Sequence, residues 1–279
     1  MTLPTPVTRP REVPPASSRW AAHAREQAAA DAAGTLPLLP DEDACNATIA
    51  RHIAAVDRCG ESLRILEAGC GQRWLINLEG IDFKLVGVDL DQAALDIRLK
   101  QNADLDEAVV GDLQTVELPA HHFDVIYSSF VLEHVERAHV VLENFVRWLK
   151  PGGVVVIRVP DRDSFRGLLT RGSPHWFHVW YYRFILHNRD AGRPGFAPYP
   201  TYYDPVISRV GMRGFCRDHG LSLQVECGDG SESYGCPGWV ASSAEFVARA
   251  VSAATGGRVA WKHANLLYIL RKDAPDRLS

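Results

Sequence analysis

The feature that most limits the fold of this chain is a pair of closely spaced glycines between two apolar runs. The first run ends at Glu67 and leads into Gly69 and Gly71, and the second run ends at Asp89. In a strand–turn–helix–strand unit, this spacing places a tight glycine turn and a carboxylate together at the carboxyl ends of adjacent parallel strands. Such a crevice binds a nucleoside, because glycine lets the backbone approach closely and a carboxylate accepts hydrogen bonds from ribose hydroxyls. Gly-x-Gly alone is weak evidence, since ordinary strand-to-helix turns also contain glycine.

Apolar runs alternate with amphipathic stretches on both sides of this motif. Short apolar runs predict strands, and apolar residues spaced three or four apart predict helices. We expect strands at about 63–67, 83–89, 107–111, 123–128, 153–159, 221–227 and 261–270, and helices at about 72–80, 91–102, 131–149, 205–219 and 240–253. The alternation favours an α/β fold with a mostly parallel sheet.

Three segments stand apart from this alternation. Residues 1–18 contain five prolines and are predicted to form a flexible arm. Residues 19–60 are predicted to hold two helices, at about 19–33 and 41–58. These helices would form a lid or an oligomer contact, or would simply cover the sheet edge. The main domain is then 61–279, with an inserted lid at 161–204 after the fifth strand.

Composition excludes several classes of function. The net charge of −4 gives no overall basic field of the kind that attracts nucleic acid. The sequence contains no apolar run near the roughly 20 residues that cross a bilayer, and the N-terminus lacks the apolar core of a signal peptide. Six cysteines show no C-x-x-C pair, which fits reduced thiols. We expect a cytoplasmic protein with no nucleic-acid or membrane partner.

Five segments, in order and with regular spacing, resemble those of the class I S-adenosylmethionine-dependent methyltransferases that act on small molecules. The resemblance spans roughly 63–160, with weaker support from 205–228 and 261–272. It implies a Rossmann-like sheet of seven strands with helices on both faces and the last strand antiparallel. The matching segments are Ile65-Leu66-Glu67-Ala68-Gly69-Cys70-Gly71, Val86-Gly87-Val88-Asp89-Leu90, Val110-Gly111-Asp112-Leu113, Phe123-Asp124-Val125-Ile126-Tyr127-Ser128-Ser129 with Val131-Leu132-Glu133-His134-Val135, and Leu149-Lys150-Pro151-Gly152-Gly153.

The resemblance implies S-adenosyl-L-methionine as the cofactor and assigns residues to its two ends. On the methionine side, the backbone of the glycine turn would contact the cofactor, Glu67 would lie beneath the turn, and the backbone at Ser128 would meet the amino group. On the nucleoside side, Asp89 would bind the ribose and Leu90 would pack on the adenine. The other implied cofactor-binding residues are Gly69, Cys70, Gly71, Arg73, Asp112 and Leu113.

Arg73 departs from the family pattern, which often has a third glycine at this position. This arginine would instead face the carboxylate of the cofactor. A nicotinamide cofactor also pairs glycines with an acidic residue, but Arg73, Asp112 after the third strand and the turn at 150–153 favour the single nucleoside. For Asp112 alone, the alternative is a local helix cap.

The predicted lid would supply the methyl acceptor's binding site. The Asp/Asn-Pro-Pro-Phe/Tyr sequence typical of amino-methylation of DNA bases is absent, and Tyr127-Ser128-Ser129-Phe130 stands there instead. The lid is rich in aromatic residues, as expected for a small organic substrate, although these rings could equally pack a small core of their own. The candidate substrate-binding residues are Arg166, Trp176, Arg183 and Tyr203.

Residues 158–193 hold seven arginines and three aspartates. Because arginine binds carboxylates and phosphates well, an acidic acceptor is one hypothesis, and a solvated basic face is the alternative.

Three histidines are candidate proton acceptors, since histidine titrates near neutral pH. His134 would open the helix after the fourth strand, where the alternative is a structural role. His175 and His178 lie in the lid, and a carboxylate acceptor would need no base. No metal is expected, because the histidines lack diagnostic ligand spacing.

We therefore predict an S-adenosylmethionine-dependent enzyme that methylates a small metabolite in specialised biosynthesis, with oxygen as the preferred atom. The alternatives are N- or C-methylation of an aromatic or amino-acid-like acceptor, or a non-catalytic protein that binds the cofactor. A homodimer is the candidate assembly.

Overall fold

The computed structural model describes residues 36–56, 60–173, 176, 199–229 and 238–274. These residues form an eight-stranded sheet in the order β1-β7-β8-β6-β5-β2-β3-β4. Strand β8 is antiparallel to β6 and β7, and the other neighbouring pairs are parallel. The strands are β1 (Leu38–Leu39), β2 (Leu63–Ala68), β3 (Phe83–Asp89), β4 (Glu107–Val110), β5 (Phe123–Ser129), β6 (Leu149–Pro160), β7 (Leu221–Asp229) and β8 (Asn265–Lys272).

Helices cover both faces of this sheet, which confirms the predicted Rossmann-like fold. They are α1 (Glu42–Ala54), α2 (Gln92–Ile97), α3 (Ala138–Trp148), α4 (Phe165–Gly172), α5 (Arg209–Asp218) and α6 (Gly238–Ala254). Helices α1 and α2 pack on one face, called here the α1 face, through Ile49, Ile53 and Leu95. Helices α3 and α5 pack on the opposite face, called the α3 face, through Phe145 and Phe215.

The sheet has one strand more than predicted. The extra strand is β1, a two-residue edge strand that pairs in parallel with the end of β7 in a segment predicted to be only a connector. The predicted helix at 41–58 is confirmed by α1, which begins after the N-cap residue Asp41. The predicted arm at 1–18 and the helix at 19–33 lie outside the described residues.

The helix predicted at 72–80 is wrong. Ile76 and Leu78 are buried while Leu75, Asn77 and Glu79 are exposed, so every second side chain faces the core. This alternation is typical of an extended chain and cannot be met by a helix, in which one face recurs every three or four residues. The glycine turn is therefore followed by a loop.

The helix predicted at 131–149 is divided in two. A single 3-10 turn at Leu132–His134 is followed by Val135 in an extended conformation, and α3 begins only at Ala138. The division separates the buried side chain of Glu133 from the regular helix, and it places Glu133 and His134 on a turn beside the end of β5. The helix at 205–219 is also confirmed, as a 3-10 turn at Pro205–Ile207 followed by α5.

The parallel strands all end at one edge, called here the carboxyl edge. Asp89, Ser129 and Asp229 are the last residues of β3, β5 and β7, and Asn265 begins the antiparallel β8 at the same edge. In sheets of this kind ligands bind beyond the carboxyl ends of the strands. In the part of the chain that the structure describes, no helix is both long and apolar enough to cross a membrane.

Candidate functional site

The glycine turn has the left-handed backbone that its sequence predicts. Gly69 has φ of +75° and Gly71 has φ of +54°. The amides of Gly69 and Cys70 both donate to the carbonyl of Val88, at 2.8 and 3.2 Å, which fixes the turn to the end of β3. A Cβ at Gly69 would overlap the Val131 side chain, whereas the Cβ position of Gly71 has no described atom within 4 Å. Gly71 therefore faces open space on the ligand side of the turn.

Asp89 joins the glycine turn to the end of β3. Its Oδ2 accepts from the Gly71 amide at 2.8 Å, and its Oδ1 accepts from the Asp91 amide at 2.9 Å. Each carboxylate oxygen has a further lone pair, so the group can also accept from a ribose diol. Leu90 is 73% exposed and Val110 is 51% exposed at the same edge. These exposed apolar side chains suit the faces of an adenine ring.

Glu67 lies beneath the turn, as expected, but it does so through a partner that the sequence did not reveal. The fully buried Arg98 places Nη2 2.8 Å from Glu67 Oε2 and Nε 2.7 Å from Asp104 Oδ1. Arg98 Nη1 also donates to the carbonyl of Cys70 at 2.8 Å. Burial raises the pKa of Glu67 to about 7, and the hydrogen bond from Arg98 opposes this shift. An arginine in a predicted helix carries no sequence signal for such a role.

The side chain of Cys70 points away from the crevice. It is only 4% exposed in the core of the α1 face, and burial raises the pKa of its thiol to about 12. Cys70 can therefore offer only its backbone to a cofactor. Arg73 is exposed in the loop that replaces the predicted helix.

Asp112 and Leu113 lie beyond β4, and both have local structural partners. The Asp112 carboxylate accepts from the backbone amide of Gln114 at 2.8 Å, and the Asp112 carbonyl accepts from the amides of Thr115 and Val116. Asp112 thus caps a turn and not the helix considered as the alternative from the sequence, and its contact with adenine stays a prediction. The Leu113 side chain is buried in the core of the α3 face, which leaves its backbone for the predicted contact.

Ser128 is 1% exposed near the end of β5, and its Oγ has no hydrogen-bond partner among the described residues. Buried polar atoms are normally paired, so an orphaned atom marks a place where a ligand or water completes the site. Together with the glycine turn, Asp89 and the exposed Leu90, this position fits a nucleoside bearing an amino acid. When bound, S-adenosylmethionine would offer its methyl group on a sulfonium to a nucleophile.

His134 lies on the turn after β5, facing the described end of the lid. Its Nδ1 is 2.8 Å from the carbonyl of Pro200, and its ring meets the Tyr199 ring edge to face at a centroid distance of 5.6 Å. The contact assigns the proton to Nδ1 and leaves Nε2 as an acceptor. Burial lowers the pKa of His134, so the ring is neutral near pH 7.

Tyr199 was not assigned a role from the sequence, yet it contacts His134 and lies near Asp89 and Asp91. Burial raises the pKa of its hydroxyl, and the negative charges of Asp91 and Asp89 raise it further. These electrostatic contacts bring the described end of the lid close to the predicted ribose site.

Glu133 is the second residue that sequence reasoning missed as a site residue. It is 2% exposed, and its Oε2 has no hydrogen-bond partner in the described residues. Its Oε1 lies 3.8 Å from His134 Nε2. Burial raises the pKa of Glu133 to about 8. A carboxyl group with this pKa next to the predicted methyl-transfer region can hold or accept a proton near neutral pH.

The predicted substrate-binding residues do not form one group. Arg166 is half-buried in α4, Trp176 is 68% exposed, and Tyr203 is 8% exposed in the core of the α3 face. Burial, together with the charge of the nearby Glu133, raises the pKa of Tyr203 to about 12. Tyr203 therefore packs beside Glu133 as part of the core. His175, His178 and Arg183 lie outside the described residues.

Three of the arginines behind the acidic-acceptor hypothesis already face carboxylates. Arg158 pairs with Glu42 and Asp229 at 2.7 Å. Arg162 and Arg171 each lie 4.0 Å from Asp163. The charge available to an acidic acceptor is therefore smaller than the sequence count indicates. The described residues contain no group of three His, Cys, Asp or Glu side chains that could hold a metal ion.

A family model described as a methyltransferase domain matches residues 40–194. Phosphoethanolamine N-methyltransferase 1 of Arabidopsis thaliana is 33% identical over 99 residues, and the match covers 34% of this chain and 20% of that protein. Ubiquinone biosynthesis O-methyltransferase of Maricaulis maris is 28% identical over 192 residues, which is 59% of this chain and 72% of that protein. A putative S-adenosylmethionine-dependent methyltransferase structure from Listeria monocytogenes has a TM-score of 0.50 at 11% identity, covering 80% of this chain and 97% of its own. The match thus spans a fifth of the plant relative's length, and the solved structure shows the fold alone.

Proposed function

Because the chain belongs to the methyltransferase domain family, we propose that it transfers a methyl group from S-adenosylmethionine to an oxygen of a small organic metabolite. Membership confirms the predicted family. It supports the predicted enzyme class and methyl donor, which belong to this proposal. The observation that carries the proposal is the Asp89 carboxylate held 2.8 Å from the Gly71 amide at the open carboxyl edge. This arrangement suits a nucleoside with its reactive end toward β5.

In this proposal, the residues after β5 handle the proton of the acceptor. His134 Nε2 can accept a proton, and Glu133 lies 3.8 Å from it. The transfer itself needs the nucleophile and the methyl group to be aligned, with removal of a proton when the nucleophile is a hydroxyl. Ser128 and the turn at Leu132–His134 would border the space where these groups meet.

N-methylation is the second candidate, since the plant relatives are named phosphoethanolamine N-methyltransferases. Their matches cover about a third of this chain, whereas the ubiquinone-type relative, an O-methyltransferase, covers more than half. The greater coverage favours oxygen. A cytoplasmic location and a homodimer stay predictions.

The proposal is tested by incubating the full-length protein with S-adenosylmethionine labelled in its methyl group and a panel of phenols, alcohols, amines and carboxylic acids. We expect label in an oxygen-methylated product, identified by mass spectrometry. A product labelled only on nitrogen or carbon would favour N- or C-methylation instead. Tight binding of the cofactor with no transfer to any compound would contradict the proposal.

A further inference from the structure

The loop after the glycine turn is held along its length by one other segment of the chain. Three side chains of this segment bind the loop backbone at alternate positions. The contacts are Arg98 Nη1 to the Cys70 carbonyl at 2.8 Å, Asn102 Nδ2 to the Gln72 carbonyl at 2.8 Å, and the Trp74 amide to Asp104 Oδ2 at 3.3 Å. Arg98, Asn102 and Asp104 are called here the clamp residues. They fix the backbone on both sides of Arg73.

An unusual backbone brings the clamp residues together. After α2, the chain forms a π-helical turn at Arg98–Asn102, and Ala103 then has φ of +51°. The amides of Ala103 and Asp104 both donate to the Arg98 carbonyl, and Arg98 Nε lies 2.7 Å from Asp104 Oδ1. Alanine seldom adopts the left-handed conformation, and π-helical turns are rare and recur at functional sites. This turn therefore merits a functional explanation.

The clamp residues hold a loop at a place where this kind of sheet usually has a helix. A glycine turn normally leads into a helix whose N-terminal amides and dipole attract an anionic group of the ligand. The described residues between β2 and β3 contain no helix. The clamp residues therefore fix the backbone, but they supply no positive helix end. An anion bound at this turn needs a positively charged side chain instead.

The charges around the turn make this need stronger. Asp89 and Asp91 place two carboxylates at the end of β3, 2.9 Å apart from amide nitrogen to carboxylate oxygen. Arg98 is buried beneath the turn, but each of its three nitrogens already has a partner. These partners of Nε, Nη1 and Nη2 are Asp104, the Cys70 carbonyl and Glu67. A ligand carboxylate at the turn would meet these negative charges without a free donor from Arg98.

Arg73 is an available cation in this loop. The neighbouring Trp74 ring faces the core, with its centroid 5.4 Å from that of the Tyr127 ring. Because side chains alternate along an extended chain, Arg73 points away from the core. It is exposed, and it makes no hydrogen bond or ion pair with the residues that the structure describes. It stands two residues after Gly71, whose Cβ position faces open space.

We propose that Arg73 binds the carboxylate of S-adenosylmethionine, and that Asn102 and Asp104 are positioning residues that hold the Arg73 backbone for this contact. The guanidinium fork offers two parallel N–H donors to a carboxylate. The clamp residues thus take over from the missing helix the task of fixing an anion-binding group at the turn. This inference rests on the methyl donor of the proposed function.

A matched pair of ligands tests the role of Arg73 by calorimetry on the full-length protein. Decarboxylated S-adenosylmethionine lacks only the carboxylate of the methyl donor. We expect Arg73→Ala to weaken the binding of S-adenosylmethionine about tenfold or more, and to bind the decarboxylated ligand no more weakly than wild type does. Lys84→Ala, which removes an exposed cation at the amino end of β3, should change neither affinity. Equal losses for the two ligands, or no loss for S-adenosylmethionine, would overturn the proposal.

A double-mutant cycle tests whether Asn102 acts through Arg73. We expect Asn102→Ala to weaken the binding of S-adenosylmethionine about threefold, with no loss for the decarboxylated ligand. The same substitution should have no further effect when Arg73→Ala is already present. Asn77→Ala is the control, because Asn77 lies in the same loop and binds only the nearby Glu79 amide. A threefold loss in both backgrounds, or for both ligands, would show a merely structural Asn102 and overturn its positioning role.

The two ligands also separate this inference from the proposed function, because their binding requires no turnover. The predicted affinities without methyl transfer to any acceptor would contradict the proposed function and leave this inference standing. If the wild type bound neither ligand, the methyl donor itself would be wrong, and both would fail. Unchanged binding of the decarboxylated ligand shows in each variant that the crevice is folded.

Discussion

Arg98 Nη2 lies 2.8 Å from Glu67 Oε2, and the same guanidinium donates at 2.8 Å to the carbonyl of Cys70 in the glycine turn. The acidic residue before the turn is thereby held to the turn by a fully buried arginine from the segment after α2. The conformation of the turn depends on this ion pair, because both charges are removed from water and can satisfy only each other and nearby polar groups.

Removing Arg98 should therefore unfold or loosen the crevice. We expect Arg98→Met to lower the free energy of unfolding by about 3–5 kcal/mol, because it leaves Glu67 buried and unpaired. The double variant Glu67→Leu/Arg98→Met should recover part of this loss, since the unpaired charge is also removed. Urea unfolding of the single and double variants measures the coupling, and strictly additive losses would contradict the ion-pair account.

Asp89→Ala should weaken the binding of S-adenosylmethionine by about tenfold or more, because it removes both the ribose acceptor and the contact with the Gly71 amide. Asp96→Ala, which removes an exposed carboxylate paired with Lys100, is the control. Isothermal titration calorimetry gives both affinities. Unchanged affinity in Asp89→Ala would refute the ribose assignment.

Gly69→Ala should destabilise the protein more than Gly80→Ala does. The two glycines have nearly the same φ, +75° and +77°, so both variants bear the strain of a left-handed alanine. Only Gly69 has its Cβ position occupied, by the side chain of Val131. We expect the additional loss to be about 1–3 kcal/mol in urea unfolding. Equal losses would mean that Val131 moves aside freely.

Glu133 should make stability depend on pH. Burial raises its pKa from an ordinary 4.5 to about 8, so the folded protein holds this proton over a range in which the unfolded chain has lost it. Its contribution to stability is therefore greatest at low pH and falls as the pH rises from 4.5 to 8.

Glu133→Gln has no proton to lose at this position. As the pH rises across that range, the free energy of unfolding of this variant should therefore increase relative to that of the wild type, by up to about 1.4 kcal/mol per pH unit. Chemical unfolding at several pH values measures the difference. If the free energy of unfolding of the two proteins changed with pH in the same way, the pKa of Glu133 would not be raised by folding.

His134→Gln tests the proposed base. We expect turnover to fall about a hundredfold with little change in the affinity for S-adenosylmethionine, because His134 Nε2 would accept the proton of the hydroxyl. The activity of the wild type should also decline below the lowered pKa of His134, where the ring is protonated. A lower Tm with unchanged turnover would instead assign His134 the structural role of holding the Pro200 carbonyl.

Local sequence signals were sufficient for the parts of the molecule that depend on a strand and the turn after it. Gly69, Gly71 and Asp89 could be identified because their conformation and chemistry are set by residues close in the chain or one strand away. The same holds for α1, whose N-cap Asp41 precedes a regular apolar face. The helix predicted at 72–80 was wrong because the four apolar residues in this stretch of nine fit the spacing of a helix and of an extended chain, and only packing against the core decides between them.

Tertiary structure alone decided which polar groups meet. Arg98 reaches Glu67 across 31 positions, and Arg158 reaches Glu42 across 116 positions, distances over which a single sequence carries no pairing signal. Whether an arginine is available to a substrate or is already paired depends on such contacts. The sequence by itself therefore determined the fold class and the backbone of the glycine turn at the predicted cofactor crevice, which arise from local geometry. The buried ion pairs came from packing between distant segments of the chain, which local sequence patterns do not specify.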